Sequence, residues 1–462
     1  MRAANARLVA GNDGRTFDGV SIDTRTLKSD DLFVAIKGER FDGAEFAAAA
    51  LERGAGGAIV PRGWSAGAGV AAAEVAERGS VIVEVDDTTL ALQALAHAVR
   101  RDSGTKVVAI TGSAGKTTTK EIAAELLAAR YRVIRNRGNF NNHIGLPLSL
   151  IDLRARPEAA VVELGMNHSG EISTLVRIAE PDVRVWTNVG EAHLGFFASV
   201  DAIADAKAEI LEDADAATVL VANADDARIV ARIARFSGRT VTFGIDRAAD
   251  VRATTVIDRG IEGTVAEVTT PHGRAELNVP LVGRANLSNV LAATAVALEF
   301  DVPLDTVAER VARLAPAPHR GEVVRLGNGA TVIDDSYNAN PTATKRALEV
   351  LSKAAGRRRI AVIGEMLELG EQSIGLHEDV GREVANQRID LLFAVGGRPA
   401  RALAESAVHA GMRSNAVQYV ETSDAAASAL LGLVQDGDVI LVKGSRGIRT
   451  DRVVERLRTD RG

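Results

Sequence analysis

A lysine directly after a glycine and directly before three threonines carries the plainest chemistry in this chain: Ala109 to Thr119 reads AITGSAGKTTT. Gly112 and Gly115 let the backbone curl until its N–H groups face inward around an anion. On that reading Gly112, Ser113, Ala114, Gly115 and Thr118 cradle phosphate oxygens. Lys116 reaches the β- and γ-phosphates of a nucleoside triphosphate, and the Thr117 hydroxyl is a ligand for Mg²⁺. A helix opening at the loop adds its positive dipole end. Ile110 stands where the general motif has its first glycine, so the loop is a variant. The bland alternative is an ordinary glycine turn. A strand expected over Lys106 to Ile110 and a helix expected through Ala129 favour the phosphate loop.

Other residues could join this chemistry, each with a plainer reading beside it. Glu163 ends the apolar run AAVVE, and the carboxyl end of a parallel strand is where ligands bind in open α/β sheets. It is either a side ligand for the metal or a structural carboxylate. His193, in NVGEAHLG, is either a second metal ligand or a solvent-facing loop histidine. Lys207 sits among Asp201, Asp205 and Glu209 in DAIADAKAEILEDA, where a solvated ion-pair lysine is the ordinary reading. Arg320, in APAPHRG, is on its own a linker charge.

The surrounding pattern says what positions these residues. The first 85 residues read as short strands (31–37, 58–60 and 81–85) and one helix (44–53), with a Gly/Ala-rich surface excursion over 63–79. Strands at 106–110, 159–163 and 183–188 alternate with helices, which predicts a parallel sheet with crossover helices. Residues 251–279 alternate polar and apolar and read as an antiparallel insertion, followed by a helix over 286–298. After the proline-bearing linker at 315–321 come strands at 331–335, 359–364, 391–396 and 439–443, again separated by helices. The expected fold is α/β in three domains: a small N-terminal α/β domain (1–86), a central P-loop parallel-sheet ATPase domain (87–315) and a C-terminal Rossmann-like domain (316–462).

The bulk numbers set limits. A chain of 462 residues exceeds one hydrophobic core, and 46% hydrophobic with 25% charged residues is the balance of a globular protein. A formal charge of -6 argues against nucleic acid as the main partner. With no cysteine there is no disulfide, thiolate metal site or cysteine nucleophile. No apolar run approaches the ~20 residues that span a bilayer, and the first residues lack a signal-peptide core. The expectation is a cytoplasmic monomer without membrane insertion.

Taken together, TGSAGKTTTKE, ELGMNHSGEI, EAHLGFF, DAKAEI and GRANLSNVLAATA resemble the Mur ligase family, whose members join an amino acid or peptide to a UDP-linked muramoyl precursor at the expense of ATP. NFNNHIGLPLSL (139–150), DDSYNANP (334–341), GEMLELGE (364–371) and VKGSRG (442–447) resemble the branch that adds D-alanyl-D-alanine to UDP-N-acetylmuramoyl-tripeptide. These segments span all three expected domains in order.

The resemblance implies roles position by position. The first domain would bind the UDP-sugar, with Ser21, Asp23 and Arg25 and then Lys37 and Gly38 in the matching segments. Ala44 stands where the family commonly has histidine. Thr117, Glu163, His193 and Lys207 fall on magnesium positions, and Lys207 on the lysine that carries a carbamate. A carbamate turns a cationic amine into an anionic oxygen ligand. Asn286 and Asn289 match asparagines near adenine, Arg320 the arginine at the ATP phosphates and Asp335 the aspartate at the ribose. Tyr337, Asn338 and Asn340 are expected along the same crevice, and Asn141 and Asn142 near the dipeptide or the acceptor peptide. Lys116, Lys207 and His193 are the expected catalytic set, with ATP and Mg²⁺ as cofactors.

Three rival readings stand beside this one on the sequence. A Mur-type ligase adding a single diamino acid usually carries an Asn-Pro-Arg element, which is absent here, and the segments at 139–150 and 334–341 fit a folylpolyglutamate-type ligase poorly. A non-ligating nucleotide switch is the alternative from another class, although no Asn-Lys-x-Asp guanine-reading element occurs.

Overall fold

Short runs of β-branched and apolar residues between glycine and aspartate turns build the first sheet. The computed structural model describes residues 6–67 and 72–461. Residues 1–5 of the expected first domain, 68–71 of the expected excursion and residue 462 of the expected last domain lie outside the described residues. The chain is α/β and divides into two compact units: residues 1–107, 134–164 and 173–180 form one, and 108–133, 165–172 and 181–462 the other.

In the first unit, β1 (Arg7–Ala10), β2 (Gly19–Ser21), β3 (Asp31–Val34), β4 (Gly57–Pro61) and β5 (Val81–Val85) pair in the order β1-β5-β4-β3-β2. Only β1 runs antiparallel to its neighbour. Phe33, Ala50, Val60 and Ile82 pack between this sheet and its helices. Among the described residues of the expected excursion over 63–79, helices stand at Trp64–Gly67 and Ala72–Glu77. Helix Thr88–Ser103 follows, started by Asp87, which accepts from Leu90 N–H at 2.9 Å, and stopped by Gly104 at φ 67°. From there β6 (Lys106–Thr111) runs into the second unit, and β7 (Val133–Arg135) and β8 (Ala159–Glu163) bring the chain back to the first.

The second unit continues with β9 (Val183–Trp186), β10 (Val219–Asn223), β11 (Arg239–Gly244), β12 (Val251–Asp258), β13 (Thr264–Thr270) and β14 (Gly273–Val279). Its strands run β14-β13-β12-β11-β10-β9-β6. Pairing is parallel from β6 to β12, while β12, β13 and β14 form the antiparallel insertion expected from the alternation at 251–279. A further sheet takes β15 (Glu322–Arg325), β16 (Thr331–Asp335), β17 (Arg358–Gly364), β18 (Leu391–Val395), β19 (Val417–Val420) and β20 (Asp438–Lys443) in the order β15-β16-β20-β17-β18-β19. Only β15 is antiparallel. Val332, Ile360, Val362, Phe393, Ile440 and Val453 fill its core. Parallel strands present their carboxyl ends on one edge of a sheet, where the loops after β6 and β9 leave one sheet and the loop after β16 leaves the other.

One buried cation holds the segment that bears Lys207. Arg184, on β9 and 1% exposed, donates to the carbonyls of Ile210 (2.6 Å), Glu212 and Asp213 (3.1 Å), closing the end of helix Val200–Ala208 and the turn after it. Burial pulls its pKa down to about 10, against the opposing charges of Asp213 and Asp215. Arg184→Met keeps the bulk but orphans these carbonyls. A loss of about 2–4 kcal/mol is expected, read from urea unfolding midpoints at unchanged slope. A shift below half a kcal/mol would contradict this reading of the arginine.

Candidate active site

Strand β6 delivers the glycine loop to helix Lys116–Leu127, which begins at Lys116. Gly112 (φ 152°) and Gly115 (φ 81°) take backbone conformations closed to L side chains. A Cβ on Gly112 would collide with Thr187 Oγ1, and one on Gly115 with Asn289 Oδ1. The loop is braced from β9 onward. Asn188 reads Ala114 as a second peptide would, accepting from its N–H and donating to its carbonyl, each at 2.9 Å. Thr187 Oγ1 donates to Ala114 O (2.8 Å), and Ser113 Oγ accepts from Gly190 N–H (2.9 Å). Lys116 Nζ folds back on Gly112 O at 2.8 Å, so the ammonium lies over its own loop.

Beneath the loop, Thr119 Oγ1 donates to Asn289 Oδ1 (3.3 Å), and Asn289 Nδ2 donates to Asn286 Oδ1 (3.2 Å). The two asparagines share one helical face, as their spacing requires, and the buried Asn289 side chain packs against Gly115. Gly115→Ala therefore meets both backbone strain and a held neighbour. It is expected to cost about 1–3 kcal/mol and to weaken nucleotide binding in parallel, measured by thermal melting with and without ATP. Unchanged melting and ATP protection would refute the cradle.

Arg320 comes to the loop from far along the chain. Its Nη2 donates to Thr117 Oγ1 at 3.0 Å, and its guanidinium stacks 4.1 Å from the centre of the Tyr337 ring. The linker-charge reading of Arg320 does not hold. Asp335, at the end of β16, accepts from Lys443 Nζ at 2.6 Å, and the same buried ammonium donates to Asn338 O at 3.0 Å. Asn340 caps helix Pro341–Lys353 by accepting from Ala343 N–H at 2.8 Å, which explains a residue of its type there apart from any ligand.

His193 and Lys207 are also not surface bystanders. The His193 side chain is 21% exposed, the backbone holds φ 63°, and Nδ1 lies 2.8 Å from Glu368 Oε2. The imidazole beside it keeps the Glu368 carboxyl below the usual range. Lys207 is 1% exposed. The acids that suggested a solvated pair are turned elsewhere: Asp201 and Asp205 face Arg232, and Glu209 Oε1 accepts from Gly170 N–H at 2.6 Å. Burial, reinforced by the Lys116 charge, pushes the Lys207 amine well below its ordinary value. Burial thus favours the neutral amine, the form that adds CO₂ to give a carbamate.

In the first unit, Glu163 ends β8, 2% exposed. Its Oε1 accepts from Asn141 Nδ2 at 2.8 Å, and its N–H donates to Asn136 Oδ1 at 3.1 Å. Asn142 Oδ1 accepts from Gly145 N–H at 2.8 Å and sets the start of helix Gly145–Ile151. Asp23 accepts from the Arg25 guanidinium, which holds its pKa down to about 2, and Ser21 Oγ donates to Asp23 O at 3.0 Å. The Lys37 side chain is 81% exposed, and Gly38 N–H donates to Phe41 O at 2.9 Å in the turn that follows.

Within the second unit the donors suit magnesium in kind: a threonine hydroxyl, an imidazole and an amine that a carbamate would make anionic. Among the described residues no group of three or more His, Asp or Glu could hold a cation alone, so a converted Lys207 and phosphate oxygens would have to complete such a site. Sequence reasoning missed Thr187, Asn188, Glu368 and Lys443. Only Asn188, just past an apolar strand, carried a local signal.

Comparison with known proteins gives the family of the chain. The model described as Mur ligase family, catalytic domain, matches residues 16–100; that of the Mur ligase middle domain, 110–297; and that of the Mur ligase, glutamate ligase domain, 319–446. The UDP-N-acetylmuramoyl-tripeptide–D-alanyl-D-alanine ligase of Bacillus subtilis is 35% identical over 444 residues, covering 95% of this chain and 93% of that protein. The Escherichia coli enzyme of the same name is 34% identical, with 96% and 94% covered. Among solved structures, MurF from Acinetobacter baumannii superposes with a TM-score of 0.86 at 32% identity, covering 96% of this chain and 94% of that one. MurF ligase from Thermotoga maritima, in complex with ADP, does so with 0.83 at 30%, covering 96% and 97%. With a glycine loop braced by Asn188, reached by Arg320 and matched along nearly its whole length by such enzymes, the chain belongs to the Mur ligase family.

Proposed function

We propose that this chain joins D-alanyl-D-alanine to UDP-N-acetylmuramoyl-tripeptide at the expense of ATP, in the synthesis of peptidoglycan precursors. The observation that carries the reading is the Lys116–Thr117 loop reached by Arg320, in a chain matched over 95% of its length by relatives bearing that name. In the reaction, a carboxylate oxygen of the tripeptide attacks the γ-phosphorus of ATP. The bond to the bridging oxygen breaks, ADP leaves, and an acyl phosphate forms. The amine of D-alanyl-D-alanine then attacks the acyl carbon, loses a proton, and expels phosphate as the amide bond forms.

The residues supply position and charge rather than covalent chemistry. Lys116 and Arg320 neutralise the charge growing on the transferred phosphoryl group, and the backbone of 112–118 fixes its direction. Water must be kept from the acyl phosphate. Thr117, Glu163, His193 and Lys207, the last as its carbamate, would hold magnesium, which supplies further charge neutralisation at the phosphates. Asn286, Asn289 and Asp335 serve the nucleoside. Ser21, Asp23, Arg25, Lys37 and Gly38 serve the UDP-sugar, and Asn141, Asn142, Tyr337, Asn338 and Asn340 the peptide side. The assignment divides the chain into a UDP-sugar domain (1–86), an ATP domain (87–315) and a Rossmann-like domain (316–462), consistent with family matches at 16–100, 110–297 and 319–446.

The enzyme would act as a cytoplasmic monomer, where its nucleotide substrates are made. Among the described residues no helix is long and apolar enough to cross a membrane. Through cell-wall supply it would bear on cell shape and division. Phosphate release that requires both the UDP-linked tripeptide and D-alanyl-D-alanine is the expected result. Release with the dipeptide omitted, or equal turnover with single amino acids, would overturn the assignment.

A further inference from the structure

A long arginine side chain needs a fixed origin to hold one position at a phosphate loop. Arg320 Nη2 donates to Thr117 Oγ1 at 3.0 Å, yet Arg320 stands in a turn, since β15 begins only at Glu322. What fixes that turn lies at the end of β16. Glu322 pairs with Asp334 in the antiparallel register, Gly321 N–H donates to Asp334 O at 2.8 Å, and Tyr337 N–H donates to His319 O at 3.1 Å.

One side chain joins these backbone bonds. His319 Nδ1 makes a 2.9 Å hydrogen bond with Asp334 Oδ2, and because a carboxylate only accepts, the ring is the donor. Asp334 is fully buried, and its other oxygen accepts from Ser336 twice, from the N–H at 3.2 Å and from the hydroxyl at 2.5 Å. A carboxylate held in this way is a fixed anchor. The His319 side chain is 37% exposed, so burial does not explain where it points. Its backbone takes φ 61°, a left-handed conformation that costs glycine or asparagine least. The bond to Asp334 offsets that strain, and the turn it stabilises aims the next residue, Arg320. The Tyr337 ring, on which the guanidinium stacks at 4.1 Å, stands three residues after the anchor.

We infer that His319 is a positioning residue for Arg320: tied to Asp334, it locks the turn before β15 so that the guanidinium lies on Tyr337 and reaches Thr117. The inference rests on the phosphate reading of Arg320 given above. It assigns a task to a histidine and a buried aspartate that the ligation reading leaves unused.

The test is a double-mutant cycle on the full chain, read by calorimetric titration with the non-hydrolysable β,γ-methylene analogue of ATP in the presence of Mg²⁺. Arg320→Ala should weaken binding about 10–100-fold, and His319→Ala about 3–10-fold. Because the histidine acts through the arginine, His319→Ala added to Arg320→Ala should cost less than about twofold more. His319→Asn should restore binding to within about twofold of wild type. Asparagine tolerates the left-handed turn, and its Nδ2 stands as many bonds from Cβ as Nδ1 does. Should His319→Ala not fold, His319→Gly removes both the donor and the backbone strain and takes its place in the cycle, with the same expectation. Wild-type affinity in the variant lacking the imidazole, losses that add in the double variant, or an asparagine variant as weak as the alanine one overturns the inference. Wild-type affinity in Arg320→Ala overturns the phosphate reading of Arg320 itself, and with it the purpose given to His319.

Discussion

Lys116→Ala is expected to lower the rate of ligation by about 10²–10³-fold, with the melting temperature in the absence of nucleotide close to wild type. The structural cost is small because Lys116 opens its helix, where alanine is at least as favourable, and its Nζ contact to Gly112 O is a local one. The chemical cost is large because the ammonium lies over the loop that would enclose the phosphates. Steady-state phosphate release gives the rate, and ATP-induced stabilisation gives the binding. A variant that kept its rate would remove the lysine from the mechanism. Losing this charge also relieves Lys207, whose pKa it helps to lower, so the Lys207 ammonium form becomes easier to reach.

Lys207→Met is the second large effect, and stability and activity should part company. Methionine fills similar volume without a charge to desolvate, so the fold should be as stable as wild type or more so. Ligation should fall by about 100-fold or more, because no carbamate can form to complete the metal site. Labelled bicarbonate should give a carbamate carbon signal in the wild type and none in the variant. The pH dependence follows from the direction of the shift. With its pKa lowered in the fold, the bare amine costs nothing above its ordinary value of 10.5 and destabilises increasingly as pH falls below it. The methionine variant should lack that alkaline slope. Equal slopes, or full activity without the amine, would refute the buried-amine account.

How much could be read in advance follows the range of the forces involved. The strand, glycine loop and helix at 106–127 depend on neighbours in sequence, and the glycines at 112 and 115 announced their own backbone angles. The alternation at 251–279 likewise foretold an antiparallel insertion, because a period of two has few other uses. The Gly/Ala-rich stretch over 63–79 reads as an excursion, yet alanine is a strong helix former and short helices stand at Trp64–Gly67 and Ala72–Glu77. Lys207 looked solvated because its sequence neighbours are acidic. Only the fold shows that arginines from elsewhere claim two of those acids, Asp201 and Asp205. The contacts of Arg320 with Thr117 and of His193 with Glu368 join residues far apart in the chain, so no local pattern could give them. Asn340 illustrates the opposite lesson. A residue picked out for substrate also performs a capping task that its position before a proline already signalled.

The most direct test of the account follows an oxygen atom. If the tripeptide carboxylate is activated by attack on the γ-phosphorus, that oxygen stays with phosphorus when the dipeptide amine displaces it from carbon. Acceptor carrying heavy oxygen in its terminal carboxylate should therefore yield inorganic phosphate bearing the label, in step with amide formation and only with D-alanyl-D-alanine present. Ligation that proceeds while the released phosphate stays unlabelled would contradict the acyl phosphate, and with it the role given to the Lys116 loop.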